Sequence, residues 1–179
     1  MLRKLVAVLA LLALPLMPPE AAAVDLEDPE NTLVIELESG EVHIQMLPQV
    51  APKHVERIKT LAGEGFYDGV VFHRVIEGFM AQTGDPTGTG RGGSDRPDLP
   101  AEFSQIPFER GTLGMARTPD PNSANSQFFI MLDRGHFLNG QYTVWGQVID
   151  GIEHVDALNR GEPPANPSRM VKVRVASEE

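Results

Sequence analysis

The sequence predicts a mainly β domain, a barrel or a sandwich, accompanied by two short helices. Three observations support this: short runs rich in β-branched and aromatic residues recur along the chain, loops full of Gly, Pro, Asn and Asp separate them, and apolar residues recur at helical spacing in only two places. The first runs begin near Thr32. Leu33, Ile35 and Leu37 alternate with Val34, Glu36 and Glu38, Ser39-Gly40 supplies a turn, and Val42, Ile44 and Met46 alternate with Glu41, His43 and Gln45. This period of two marks a β-hairpin. Next, Val55, Ile58, Leu61 and Ala62 share a helical face, with Pro52 near the first turn and Gly63 just past the last, so a helix is predicted over residues 51–62. From Gly69 onward the candidate strands are VVFHRVI (70–76), TLGMAR (112–117), QFFIML (127–132), YTVWGQV (142–148) and MVKVRV (170–175). Before the last of these, Asp150 can cap a second helix with Glu153 three residues on, and Ile152, Val155 and Leu158 form its apolar face.

Residues 1–23 read as a secretory signal peptide outside the fold. Arg3 and Lys4 precede an apolar run over residues 5–14, too short to span a bilayer, and Ala21, Ala22 and Ala23 are the small residues a signal peptidase needs. Val24 is then the first mature residue. Residues 24–31 (VDLEDPEN) form a short acidic tether without periodicity, the domain occupies residues 32–176, and residues 177–179 are a tail. An exported protein meets conditions that permit disulfides, yet the chain has no cysteine, so its stability must come from its core; this fits a bacterial periplasmic protein. No lipid can be attached to a cysteine either.

Removing Arg3, Lys4 and Glu20 from the 15 basic and 25 acidic residues leaves 13 and 24, a net charge of −11. That balance argues against nucleic acid or an anionic membrane as a partner of the mature chain. It keeps an exported domain soluble. A compact chain with no added domain is expected to be a monomer.

Three segments carry the chemistry: FYDGVVFHRVIEGFMAQTGD (66–85), MARTPDPNSANSQFFIM (115–131) and FLNGQYTVWG (137–146). The first sets an arginine among aromatic residues beside a Phe-Met pair and a glutamine. Together, in this order and over residues 32–175, they resemble the cyclophilins. The resemblance implies a closed, eight-stranded antiparallel β-barrel capped by two α-helices, and a peptidyl-prolyl cis-trans isomerase that acts on X-Pro-containing polypeptides and assists the folding of exported proteins. Rotation about an X-Pro bond must overcome ~18–20 kcal/mol of amide resonance and takes tens to hundreds of seconds unaided. A catalyst needs an apolar seat for the proline ring and a group that favours the twisted transition state, whose nitrogen has lost conjugation and become a better hydrogen-bond acceptor. No covalent bond is broken, so no nucleophile, cofactor or metal is required.

Matched to the family, Arg74 is the catalytic arginine, a permanently charged donor with several N–H groups in a fixed fork. Phe79, Met80, Phe129 and Leu138 match the lining of the proline pocket, with Phe137 and Tyr142 at its border; a flexible Met suits varied peptide neighbours. Gln82 and Gln127 fit the roles of polar groups that hold the peptide backbone and orient Arg74, and Ala116 fits the place where substrate lies along the protein backbone. The chain also departs from its relatives. Arg117 and Thr118 stand where animal members have Asn and Ala, residues 119–125 form a loop one residue longer, and Tyr142 replaces a histidine. Thr83 stands where many members have Gly or Ala. Phe137 replaces the tryptophan of drug-sensitive members, so weak cyclosporin binding is expected.

Two other signals lead nowhere. GTGRGG (88–93) satisfies G-x-G-x-x-G, but SDRPDLP follows instead of a helix, which removes the helix N-terminus that a nucleotide phosphate would need. The five histidines, His43, His54, His73, His136 and His154, lack metal-ligand spacing. His73 adjoins Arg74, but on a strand neighbouring side chains face opposite ways, so it reads as structural. A serine hydrolase would need a G-x-S-x-G elbow that the chain lacks. A chaperone that holds proline-bearing segments with little turnover is the alternative function, although a pure binder has no need of a cation aimed at the amide.

Overall fold

The computed structural model describes residues 28–178. The expected signal, residues 1–23, and the first half of the tether lie outside the described residues. The tether's second half is fastened to the domain. Asp28 caps a 3-10 turn at Pro29–Asn31, and Asn31 Oδ1 accepts a hydrogen bond from Lys59 Nζ at 2.8 Å.

The predicted hairpin forms as β1 (Thr32–Leu37) and β2 (Gly40–Met46), with Leu33 facing Ile44 and Ile35 facing Val42 in register. A helix, α1, spans Pro52–Gly63. Then follow β3 (Arg74–Ile76), β4 (Met80–Thr83), β5 (Thr112–Met115), β6 (Phe128–Met131), β7 (Val144–Asp150), a helix α2 (Ile152–Asp156) and β8 (Lys172–Val175). All eight strands join one antiparallel sheet in the order β3-β4-β6-β5-β7-β2-β1-β8.

The closed barrel implied by the resemblance is corrected by this order: the sheet is an open half-barrel with β3 and β8 at its ends. Loops occupy the edge groups that a closing ladder would need. Val173 N of β8 donates to the Asp68 carboxylate at 3.0 Å, and Val75 of β3 exchanges both backbone hydrogen bonds with Gly161 (2.8 and 2.9 Å). Between the two ends, the segments before β3 and β8 meet outside the named strands, at the Val71–Arg169 bridge and through the backbone hydrogen bonds Gly69 N to Met170 O (2.7 Å), Met170 N to Val70 O (3.0 Å) and Phe72 N to Ser168 O (2.8 Å). Both edges are thereby protected from pairing with another chain.

Two local expectations also change. The run 70–76 is strand only from Arg74, and Asp150 does not cap α2. Asp150 continues β7 and faces His43 across the ladder, while Gly151 starts the helix in a left-handed conformation (φ +79) where a Cβ would lie 2.1 Å from Glu41 O.

α1 buries His54, Val55, Ile58, Leu61 and Ala62 against the main core, which also holds Tyr67, Phe72, Phe128 and Trp145. Its own N-cap, Ala51, offers no side-chain acceptor. Glu102, in the loop before β5, takes that role by accepting from Lys53 N at 3.3 Å and His54 N at 3.2 Å. A second, smaller apolar cluster of Met80, Phe108, Phe129, Met131, Leu138 and Val144 lies apart from the first.

Buried histidines make the fold sensitive to acid. His54 is fully buried; burial lowers its pKa, partly offset by Glu102, and its Nε2 has no partner among the described residues. His73 is also buried; burial lowers its pKa, Asp85 raises it and Arg74 lowers it, and neither ring nitrogen has a partner among the described residues. Both folded-state pKa values lie below the ordinary 6.5. Below that pH the unfolded chain therefore binds protons that the folded chain refuses, and stability falls as pH drops. Thermal melts should show a Tm that is level above about pH 7 and declines below about pH 6.5. A Tm unchanged between about pH 7 and pH 5 would contradict this.

Candidate active site

β3 and β4 place Arg74 directly opposite Gln82 in their ladder, and β4 pairs in turn with β6, setting Gln82 opposite Phe129. The short strands thus bring the first two sequence segments together. Arg74 stands at the border of a cavity of about 180 Å³. It is lined by Phe79, Met80, Phe129, Leu138, Tyr142 and Ala116. Phe129 packs edge-on to Tyr142 (5.7 Å between ring centres) and stacks on Phe108 (5.6 Å). Gly114 makes this possible, because a Cβ there would sit 2.4 Å from the Phe129 ring and 2.6 Å from the Phe108 ring. The smaller apolar cluster is the floor of this cavity.

A wider polar groove of about 500 Å³ continues past Gln82 and Ala116 towards the loop at 90–94. Gln82 Nε2 donates to Gln127 Oε1 at 2.9 Å, and Gln127 Nε2 donates to the carbonyls of Gly90 (3.1 Å) and Gly92 (2.8 Å). The loop itself is knotted around Asp85. That carboxylate is fully buried and accepts from Thr87 N, Thr89 N and Gly90 N as well as the Thr87 and Thr89 hydroxyls. Burial pushes its pKa up, but the hydrogen bonds from Thr87, Gly92 and Gly90 outweigh burial and hold it at about 2. Stability from this carboxylate is present above the ordinary 3.8 and is lost as pH falls towards about 2.

Of the residues proposed from sequence, nine line the small cavity: Arg74 and Gln82, together with Phe79, Met80, Ala116, Arg117, Phe129, Leu138 and Tyr142. Gln127 lines the groove beside it. Phe137 is 65% exposed and sits on the rim, its ring 5.4 Å from that of Phe79. Arg117 is held over the Tyr142 ring (4.5 Å) while donating to Gln141 O through Nε (3.2 Å) and Nη2 (2.8 Å). Thr83 is buried, with its hydroxyl donating to Val71 O at 3.0 Å, so it braces β4 against the segment before β3.

One expected role is corrected. Arg74 is not oriented by a hydrogen bond from Gln82 or Gln127, whose side chains bond to each other and to the loop. Its Nε donates instead to Glu162 Oε2 at 2.7 Å. Glu162 lies in the loop between α2 and β8, in a segment, GEPPANP, that carries no local sign of a role at a site 88 residues away. His73 lines a neighbouring cavity of about 290 Å³ that also borders Arg74 and Gln82, shared with Glu162 and Gly88. Among the described residues no group of three His, Cys, Asp or Glu could hold a metal. The site thus offers an apolar seat, a polar groove for an extended backbone, and a fixed cation where the two meet.

The family model for cyclophilin type peptidyl-prolyl cis-trans isomerase/CLD matches residues 32–177. A probable peptidyl-prolyl cis-trans isomerase of Brucella suis biovar 1 is 52% identical over 167 residues, covering 84% of this chain and 85% of that protein. The peptidyl-prolyl cis-trans isomerase-like 3 of Mus musculus is 41% identical over 133 residues, covering 72% and 82%. Among solved structures, the cyclophilin AquaCyp293 from Hirschia baltica matches with a TM-score of 0.79 at 31% identity, covering 85% of this chain and 76% of that one. A cyclophilin type peptidyl-prolyl cis-trans isomerase of Cryptosporidium parvum, crystallised in the presence of the dipeptide ala-pro, matches with a TM-score of 0.75 at 29% identity, covering 80% and 98%.

Proposed function

This chain belongs to the cyclophilin-type peptidyl-prolyl cis-trans isomerases, and from that premise we propose that Arg74 is its catalytic donor and exported polypeptides are its clients. The observation that carries the assignment is Arg74 at the mouth of a cavity walled by Phe79, Met80, Phe129 and Leu138. The proline ring enters this cavity, and the preceding residues lie along Ala116, Gln82 and Gln127. As the X-Pro bond twists, its nitrogen gains a lone pair that the guanidinium can bond, an interaction absent from the planar ground state. The apolar walls lower the local dielectric and strengthen that bond. The Cryptosporidium relative crystallised in the presence of ala-pro supports the substrate class.

The guanidinium stays charged at any physiological pH, and no general base takes part. Isomerisation should therefore be nearly flat from about pH 6 to 8 and indifferent to EDTA. Loss of activity on chelation, restored by a divalent metal, would refute the mechanism.

Export is supported by the charged, apolar and small-residue order of the first 23 residues. Fractionation of a bacterial host should release a chain whose mass begins at Val24 from the periplasm. Full-length chain in the cytoplasm would contradict export.

Cyclosporin should bind weakly. Phe137 has no N–H where the drug-sensitive relatives carry an indole, and one unpaired drug carbonyl costs about 1–3 kcal/mol, or ~5–150-fold in affinity. Phe137→Trp should tighten inhibition by that factor with turnover spared; wild type already as sensitive as the variant would refute it.

A further inference from the structure

The loop joining α2 to β8 is built to hold one carboxylate against Arg74. Gly161 exchanges two backbone hydrogen bonds with Val75, the residue after Arg74, at 2.8 and 2.9 Å. Its φ of +147 and the 2.5 Å approach of a Cβ to Pro164 Cα leave room there for glycine alone. Asn159 ties the loop's two ends together, Nδ2 donating to Asn166 O at 2.8 Å and the backbone N donating to Ser168 Oγ at 3.1 Å, and Pro163 and Pro164 stiffen the turn between. Arg160 fastens it again, to Glu77 and to Leu158 O. The outcome is Glu162 Oε2 at 2.7 Å from Arg74 Nε.

We infer that Glu162 is a positioning residue for the isomerase reaction, fixing the Arg74 guanidinium from behind so that its Nη groups are left for the substrate amide. Among the described residues, Nε is the one N–H group of the Arg74 side chain with a protein acceptor. Arg74 borders both the proline cavity and its neighbour, whereas Glu162 borders only the neighbour. The carboxylate thus takes Nε from outside the proline cavity. Both partners are substantially exposed (40% and 53% of the side chain), so the pair adds little to stability. Its use is to set the arginine's rotamer before substrate arrives, removing an ordering cost from the transition state.

The inference rests on Arg74 being the donor, and a double-mutant cycle separates the two claims. Isomerisation of an Ala-Pro peptide would be measured by NMR exchange for wild type, Glu162→Ala, Glu162→Gln, Arg74→Ala and the Arg74→Ala/Glu162→Ala pair, with Tm alongside. Glu162→Ala should lower kcat/KM by about 5–20-fold, through kcat more than KM, with Tm nearly unchanged. Glu162→Gln should stay within about 3-fold of wild type, because its carbonyl oxygen still accepts from Nε. On the Arg74→Ala background, removing Glu162 should change nothing further. A silent Glu162→Ala beside an impaired Arg74→Ala overturns the positioning role alone, as does an equal loss on both backgrounds. An Arg74→Ala protein with wild-type activity overturns the catalytic assignment and the positioning role with it.

Discussion

Arg74→Ala should lower kcat/KM for isomerisation by ~10²–10³, the usual loss when one preorganised donor to a transition state is removed. Folding should be nearly intact. The side chain is 40% exposed and its ion-pair partner Glu162 is 53% exposed, so truncation leaves no buried charge behind. A hydrogen bond to a charged group nets about 1.5–3 kcal/mol, or roughly 10–150-fold, so the upper part of the expected loss reflects the low dielectric of the adjoining cavity. Kinetics and a thermal melt on the same preparation check both halves of the expectation. Wild-type turnover in a folded variant would refute the assignment.

Phe129→Ala should be the costliest substitution for the fold among the site residues, destabilising it by about 3–5 kcal/mol. The ring is 5% exposed, stacks on Phe108, meets Tyr142 edge-on and fills the space that Gly114 leaves open. Native domains are stable by only about 5–15 kcal/mol, so the variant should unfold at markedly lower denaturant concentration. Activity should fall too, since the same ring walls the proline cavity. An unchanged denaturation midpoint would show that the ring is not part of a packed floor.

Much of the fold was legible because burial writes itself into local pattern. The β1–β2 hairpin and α1 each have one buried face, and their residues alternate or recur accordingly. β4 has no such signature: Met80, Ala81, Gln82 and Thr83 are four residues without a β-branched or aromatic run, and they form a strand because the ladder with Phe128–Met131 demands it. Asp150 satisfies the local capping rule for α2, but tertiary pairing with His43 keeps it in β7. Closure of the sheet was an inference from family likeness, and it failed at the Asp68 and Gly161 contacts, which join residues far apart in sequence. The site followed the same division. Nine of its motif-borne residues converge on one cavity, with Gln127 in the adjoining groove and Phe137 on the rim, whereas Glu162 reaches Arg74 through the fold of a loop that matches no motif.

The central claim is that a fixed guanidinium beside an apolar seat speeds X-Pro rotation without metal or base, and one measurement bears on it most directly. Residues 24–179, at catalytic concentration and in EDTA, would be added to an Ala-Pro peptide and cis-trans exchange followed by NMR. Unaided exchange takes tens to hundreds of seconds and leaves the two isomers as separate, unexchanged resonances on the NMR mixing timescale. Exchange cross-peaks between the proline isomers should appear with wild type and fade with Arg74→Ala at equal concentration. Cross-peaks of equal strength with both proteins, or with neither, would contradict the mechanism.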